Sequence, residues 1–172
     1  MLTEYTVLKE EQKTRIGFRD NLLYVTLTVV AAVIAAAVQA KQPAIVLALP
    51  PVCVVLGWTY LVNDEKISAI GAYVRDELGP RLAQLAQLTQ PAQGEGVFGW
   101  ERVHRANLRR RSRKAVQCVI DLLAFCLVPL AGLGVYWAGG QGSPGLLVLS
   151  GFEAVSVVGL ASQVIAYARP LR

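Results

Sequence analysis

Leu22 to Ala40 (LLYVTLTVVAAVIAAAVQA) runs for 19 residues without a charged side chain. A helix of that length crosses about 30 Å of hydrocarbon, so a chain containing it has few other ways to fold. Three further stretches read the same way. Ala44 to Val62 carries no charge, while Ala115 to Ala138 and Leu146 to Ala168 each contain a single acid, Asp121 and Glu153 respectively. The charges of the chain are gathered between these runs. Only 17% of its 172 residues are Asp, Glu, Lys or Arg, against about 25% in an average soluble domain. The expected fold class is therefore all-α. It is an integral membrane bundle of four transmembrane helices with cytoplasmic amphipathic helices.

The boundaries follow from the same alternation. Residues 1–21 read as a cytoplasmic N-terminal helix, with Tyr5, Leu8 and Ile16 on one face and Glu11 and Arg15 as a favourable i, i+4 pair. A signal peptide cleaved after Val38-Gln39-Ala40 is not expected, because the leader is long and acidic and the apolar run exceeds an ordinary h-region. Residues 22–62 form a first hairpin turned through Lys41-Gln42-Pro43. Pro50 and Pro51 lie in its second span. They cannot donate to the carbonyls of Val46 and Leu47 and should displace Leu49 from α geometry, so a helix kink is expected there. Trp58 and Tyr60 suit an interfacial belt.

Residues 63–114 make a cytoplasmic segment. Ile67, Ile70, Val74 and Leu78 form a helical stripe, Gly79-Pro80 should break that helix, and Leu82, Leu85 and Leu88 suggest a second short one. A Pro/Gly/Gln-rich loop follows, then a basic block ending in Arg109, Arg110, Arg111, Arg113 and Lys114. Residues 115–168 form the second hairpin, interrupted by Pro129 and turned through GGQGSPG, with Ser143 and Pro144 placed as N-cap and N1 of its last helix. Residues 169–172 are the tail. Lys and Arg number four before the first span, ten in 63–114 and two in the tail, but one in the two short turns. That asymmetry puts both termini in the cytoplasm of a cell whose plasma membrane the chain spans several times.

Asp121 and Glu153 are the residues most at odds with these spans. A charge at the centre of a membrane helix costs about 2.5–3.5 kcal/mol on insertion scales, so each needs a partner, water or a proton. Asp121 sits about 9 Å from one end of its span and can join a polar stripe with Lys114 and Gln117. Glu153 lies roughly 10 Å from the opposite boundary, on a small, polar face with Ser150, Ser156, Gly159 and Gln163. That face suits a close helix–helix contact, the wall of a polar path, or proton coupling. All three readings stay open, and Glu153, Ser150, Ser156, Gln163 and Asp121 are the candidates for a pore or polar path.

The basic block has a topogenic reading and a compatible second one, binding of anionic lipid head groups by Arg109, Arg110, Arg111, Arg113 and Lys114. Nucleic acid is not expected as a partner, because stacking aromatics do not alternate with these cations. Glu101 and His104 match a metal-bundle spacing once only, and His104 is the single histidine. Cys53, Cys118 and Cys126 are an odd number of thiols inside apolar runs, which suits packing rather than a disulfide framework. No phosphate-binding glycine loop and no Ser/His/Asp set is present. Neither enzyme activity, nor a metal, nor any other cofactor is expected.

The segments Glu11-Gln12-Lys13 through Arg19-Asp20-Asn21-Leu22, and Gly57-Trp58-Thr59-Tyr60-Leu61-Val62-Asn63-Asp64-Glu65-Lys66-Ile67, resemble small four-helix integral membrane proteins of high-GC actinobacteria. That resemblance covers most of the chain and implies the fold without an activity. The layout of N-terminal helix, membrane hairpin and trailing amphipathic helix is also similar to SLATT-type membrane effectors of bacterial conflict systems. This second resemblance implies a self-associating protein that forms or regulates a pore when a nucleotide-signal partner triggers it. The alternatives are a non-conducting scaffold that docks a cytoplasmic protein through residues 63–114, and a small transporter. The partners expected in the leading case are the lipid bilayer and further copies of the chain as a homo-oligomer.

Overall fold

A computed structural model describes residues 2–82, 84, 110–140 and 143–168, and every element in them is helical. Helix α1 spans Leu2–Ala40, a 3-10 segment spans Pro43–Ala48, and α2 spans Leu49–Tyr73. After the gap come α3 (Arg110–Leu122), α4 (Val128–Ala138) and α5 (Pro144–Ala168). Four helices, Thr3–Ala40, Pro43–Leu82, Lys114–Ala138 and Pro144–Ala168, are long and apolar enough to cross a membrane. The N-terminal helix and the first apolar run, read above as successive elements, are one helix, since nothing between Arg19 and Leu22 breaks α geometry.

Three prolines inside these helices are accommodated in the same way. A proline at position i has no N–H for the carbonyl of i−4, and its ring clashes with that carbonyl. At each site the residue before the proline closes a turn of a different pitch. Leu49 donates to the Val46 carbonyl, closing the 3-10 segment, and Pro50 follows. Gly79 donates to Val74 across the π turn Val74–Leu78, and Pro80 follows. Val128 donates to Leu123 across the π turn Leu123–Leu127, and Pro129 follows. Two expectations are corrected by this. Leu49 keeps α geometry (φ −67°, ψ −50°), because the tightening falls on the six residues before it. Residues 79–82 remain helical, because the wider π turn takes up Pro80. The expected second helix through Leu85 and Leu88, and the loop after it, lie outside the described residues.

The chain divides into two compact units. The first comprises residues 1–19 and 62–113. The described parts of α1 and of residues 62–82 in this unit are joined by a polar ladder. Arg19 Nη1 donates to Asp64 Oδ1 at 2.8 Å, and Asn63 Nδ2 donates to the Arg15 carbonyl at 2.7 Å. Gln12 Nε2 donates to the Ile67 carbonyl at 3.4 Å, and the Tyr73 hydroxyl donates to Glu4 Oε1 at 3.0 Å. The expected apolar stripe is inside this unit, with Ile67, Val74 and Leu78 buried. On α1 the side turned inward is Gln12, Arg15 and Arg19, while Ile16 is exposed.

The second unit comprises residues 20–61 and 114–172. Two apolar clusters fill it. One gathers Leu22, Tyr60, Phe125, Cys126, Val157, Leu160 and Val164; the other gathers Val46, Leu47, Leu49, Leu133 and Tyr136. At Gly57 of α2 an added Cβ would meet Leu160 Cδ2 at 2.7 Å and Phe125 Cβ at 3.0 Å. Only glycine allows that approach. α5 starts as its residues predict, with the Leu146 N–H donating to Ser143 Oγ at 3.5 Å and Pro144 as its first residue.

Candidate functional site

The apolar interior of the second unit encloses a few polar side chains, and these constitute its candidate site. Glu153, on α5, is 7% exposed, and its Oε2 is buried without a hydrogen bond to any protein atom. It stands one helical turn from Ser150 and one from Val157, both fully enclosed. Ser150 is satisfied: it accepts from Trp137 Nε1 at 2.9 Å and donates to the Leu147 carbonyl at 2.8 Å. Side by side, then, the helix carries one buried polar group with its bonds complete and one without.

Chemically, a carboxyl in such surroundings has three ways to stand: protonated, hydrated, or beside a cation. Desolvation penalises the bare charge far more than the neutral acid. The site can therefore hold or release a proton, or pair with an ion that reaches it. Nucleophilic or acid–base chemistry on an organic substrate would need a second group aimed at the same point.

The sequence-derived path residues do not all share this interior. Asp121, on α3, is buried at 8% exposure, one turn before Phe125. Nearby along α3, Gln117 Nε2 donates to the Tyr60 hydroxyl at 3.4 Å, while Lys114 is exposed. Ser156 is half-buried and donates to the Phe152 carbonyl of its own helix at 3.0 Å. Gln163 is exposed. Glu153, Ser150 and Asp121 thus point inward, whereas Ser156 and Gln163 do not.

Of the proposed head-group cations, Arg110, Arg111, Arg113 and Lys114 belong to α3; Arg109 lies outside the described residues. Pro50 is buried and Pro51 exposed at the start of α2. Among the described residues, no three of His, Cys, Asp and Glu come together as metal ligands.

Two polar residues escaped the reading of the sequence. Asn63 is buried at 6% exposure, clasped to Arg15. The Tyr136 side chain is 5% exposed with a hydroxyl that meets no hydrogen-bonding protein atom. In sequence, Tyr136-Trp137 looks like any aromatic pair at a span end, and its burial is a property of the packed hairpins. No protein-family model, no curated protein and no solved structure matches the chain.

Proposed function

We propose that this is a non-enzymatic, self-associating integral membrane protein that forms or regulates an ion path, and that Glu153 is the group on which the path depends. The observation that carries this reading is the Glu153 carboxyl, sequestered among apolar side chains with an oxygen that no protein group satisfies. Ionisable groups inside membrane helices are expensive, and where they occur they mark ion or proton routes. The surface of the second unit supports the membrane setting. Val38, Val148, Phe152 and Val155 are each 70% exposed or more, a density of bare apolar side chains that water would not tolerate. The resemblance to conflict-system effectors makes a membrane-acting defence role the natural context. Arg110 to Lys114 then sit against anionic head groups, with both termini in the cytoplasm of a plasma-membrane protein.

One observation favours the second reading, a non-conducting scaffold that docks a cytoplasmic protein through residues 63–114. Glu153 is 7% exposed and its neighbours one turn away, Ser150 and Val157, are fully enclosed, so a single chain leaves little access to Glu153, and conduction requires assembly or opening.

Ion flux from liposomes containing the purified protein separates the two. In the pore reading Glu153→Gln changes ion selectivity or the pH dependence of flux while the oligomer persists, and Asp121→Asn changes it less. Absence of wild-type flux, with and without cytoplasmic partners, removes the pore and leaves the scaffold.

A further inference from the structure

Hydroxyls on the helices of the second unit close onto their own backbone. Thr28 donates to the Tyr24 carbonyl at 2.8 Å, Ser156 to the Phe152 carbonyl at 3.0 Å, and Ser162 to the Gly159 carbonyl at 2.7 Å. An amide cannot be hidden in this way, because it carries two N–H donors and an acceptor. Gln117, on α3, has the Tyr60 hydroxyl for its amide. Gln39 is exposed but belongs to the last turn of α1, where the helix ends. Gln163 has neither outlet. It is exposed, bonds to no described residue, and precedes Ala168, the end of α5, by five residues, about 7.5 Å along the axis.

Gly159 stands four residues before Gln163, so the two are neighbours on the surface of α5. A Cβ at Gly159 would meet nothing within 4 Å, unlike one at Gly57. Packing within the chain therefore does not need this glycine, and glycine weakens a helix interior relative to alanine. A second helix laid along the face accounts for both residues. Glycine lets two backbones approach, and their approach brings the amide within reach of a partner. Lipid tails cannot bond to it.

Copies of one chain inserted in one membrane share an orientation. A two-fold axis along the membrane normal then sets α5 parallel to α5 and brings each residue opposite its own copy at the same depth. A glutamine amide suits such self-pairing, since it both donates and accepts. An ammonium or a carboxylate would repel its copy.

We propose that a second copy of this chain docks on the outer face of α5, Gly159 against Gly159, with the two Gln163 amides hydrogen-bonded to each other across the two-fold axis. The contact rests on the membrane setting and self-association proposed above, and it assigns the surface that makes the pair.

The test is sedimentation equilibrium of the full chain in density-matched mild detergent, with disulfide trapping in membranes. Gln163→Leu should weaken the dimer about tenfold, the weight of two hydrogen bonds between membrane helices. Thermal unfolding of the diluted monomer should stay at the wild-type temperature, because the amide bonds to nothing in its own chain. Ala166→Cys, exposed one turn beyond Gln163 on the same face, should form a covalent dimer under a mild oxidant, above the background of the native cysteines. Adding Gln163→Leu should lower that yield. Ile165→Cys, exposed at nearly the same depth but turned away from the face, should not trap.

Equal dissociation of wild type and Gln163→Leu would overturn the contact. So would trapping of Ile165→Cys as readily as Ala166→Cys, or trapping of Ala166→Cys to a chain of another mass. A wild type that stays monomeric at every concentration and traps no dimer in membranes would remove the self-association itself. An oligomer that ignores Gln163→Leu would remove this surface alone.

Discussion

Asn63 and Glu153 are buried to nearly the same degree, at 6% and 7% exposure, yet differ in how they are satisfied. Asn63 both donates to the Arg15 carbonyl and accepts from Arg15 Nη1 at 3.4 Å. Glu153 Oε2 does neither. Replacing a satisfied buried polar group by an apolar one of similar shape forfeits its bonds, whereas replacing an unsatisfied one removes a desolvation cost. Asn63→Leu should destabilise the chain by about 1–3 kcal/mol, and Glu153→Leu should stabilise it by a similar amount. Denaturation in detergent checks the pair, and a stability loss in Glu153→Leu would mean the carboxyl is held by something other than the protein. Lys41 poses a related question in the backbone. Its φ of 51° lies in the left-handed region, where the Gln42 N–H reaches back to the Ala37 carbonyl at 3.2 Å to close α1. Glycine takes that place in most such helix ends. Lys41→Gly should raise stability by about 1 kcal/mol, since left-handed geometry costs a side-chain-bearing residue roughly that much. A loss instead would show that the lysine side chain supports the turn.

At the scale of helices, the prolines and glycines decide what the apolar pattern alone could not. At Gly57, Phe125 and Leu160 both reach within 3.0 Å of the place an added Cβ would take. Gly57→Ala should therefore destabilise, because overpacking of about 1–3 kcal/mol outweighs the roughly 1 kcal/mol of helix propensity that alanine adds. Gly134→Ala, where a Cβ meets nothing within 4 Å, should be neutral or stabilising. Thermal unfolding of the two variants in the same detergent is the comparison; equal behaviour would place the tight contact elsewhere. Small residues on α5 suggest close helix contacts from the sequence, yet within one chain Gly151 and Gly159 face open space. That leaves a smooth strip on α5 for lipid or another chain.

For the whole molecule, the proposed topology and assembly make separate predictions. A reporter fused after Arg172 or inserted near Gln93 should read as cytoplasmic, and one at Gln141 as extracytoplasmic. Any other pattern breaks the four-span arrangement. If chains associate through the open strip of α5, Gly159→Leu should shift the oligomer toward monomer in mass photometry without loss of helicity, because leucine holds the backbones apart. An oligomer indifferent to that change would have to be built on another surface.

The alternation of charged and apolar blocks was enough to establish four helices of membrane-crossing length, because hydrophobic length is a local property that each segment carries by itself. The start of α5 at Ser143-Pro144 was legible for the same reason. Local rules also marked Pro50, Pro80 and Pro129 as irregular, but not how the backbone would respond, since a 3-10 turn, a π turn and a break all relieve the same clash. Burial was less legible still. Glu153 and Asp121 could be named as acids in apolar runs, yet whether Glu153 meets a partner depends on residues brought to it from other helices. Ser156 and Gln163 share its helix but not its surroundings. Tyr136 and Asn63 gave no sign in the sequence at all. Their isolation and their clasp arise from contacts across the fold, and only the packed tertiary structure decided them.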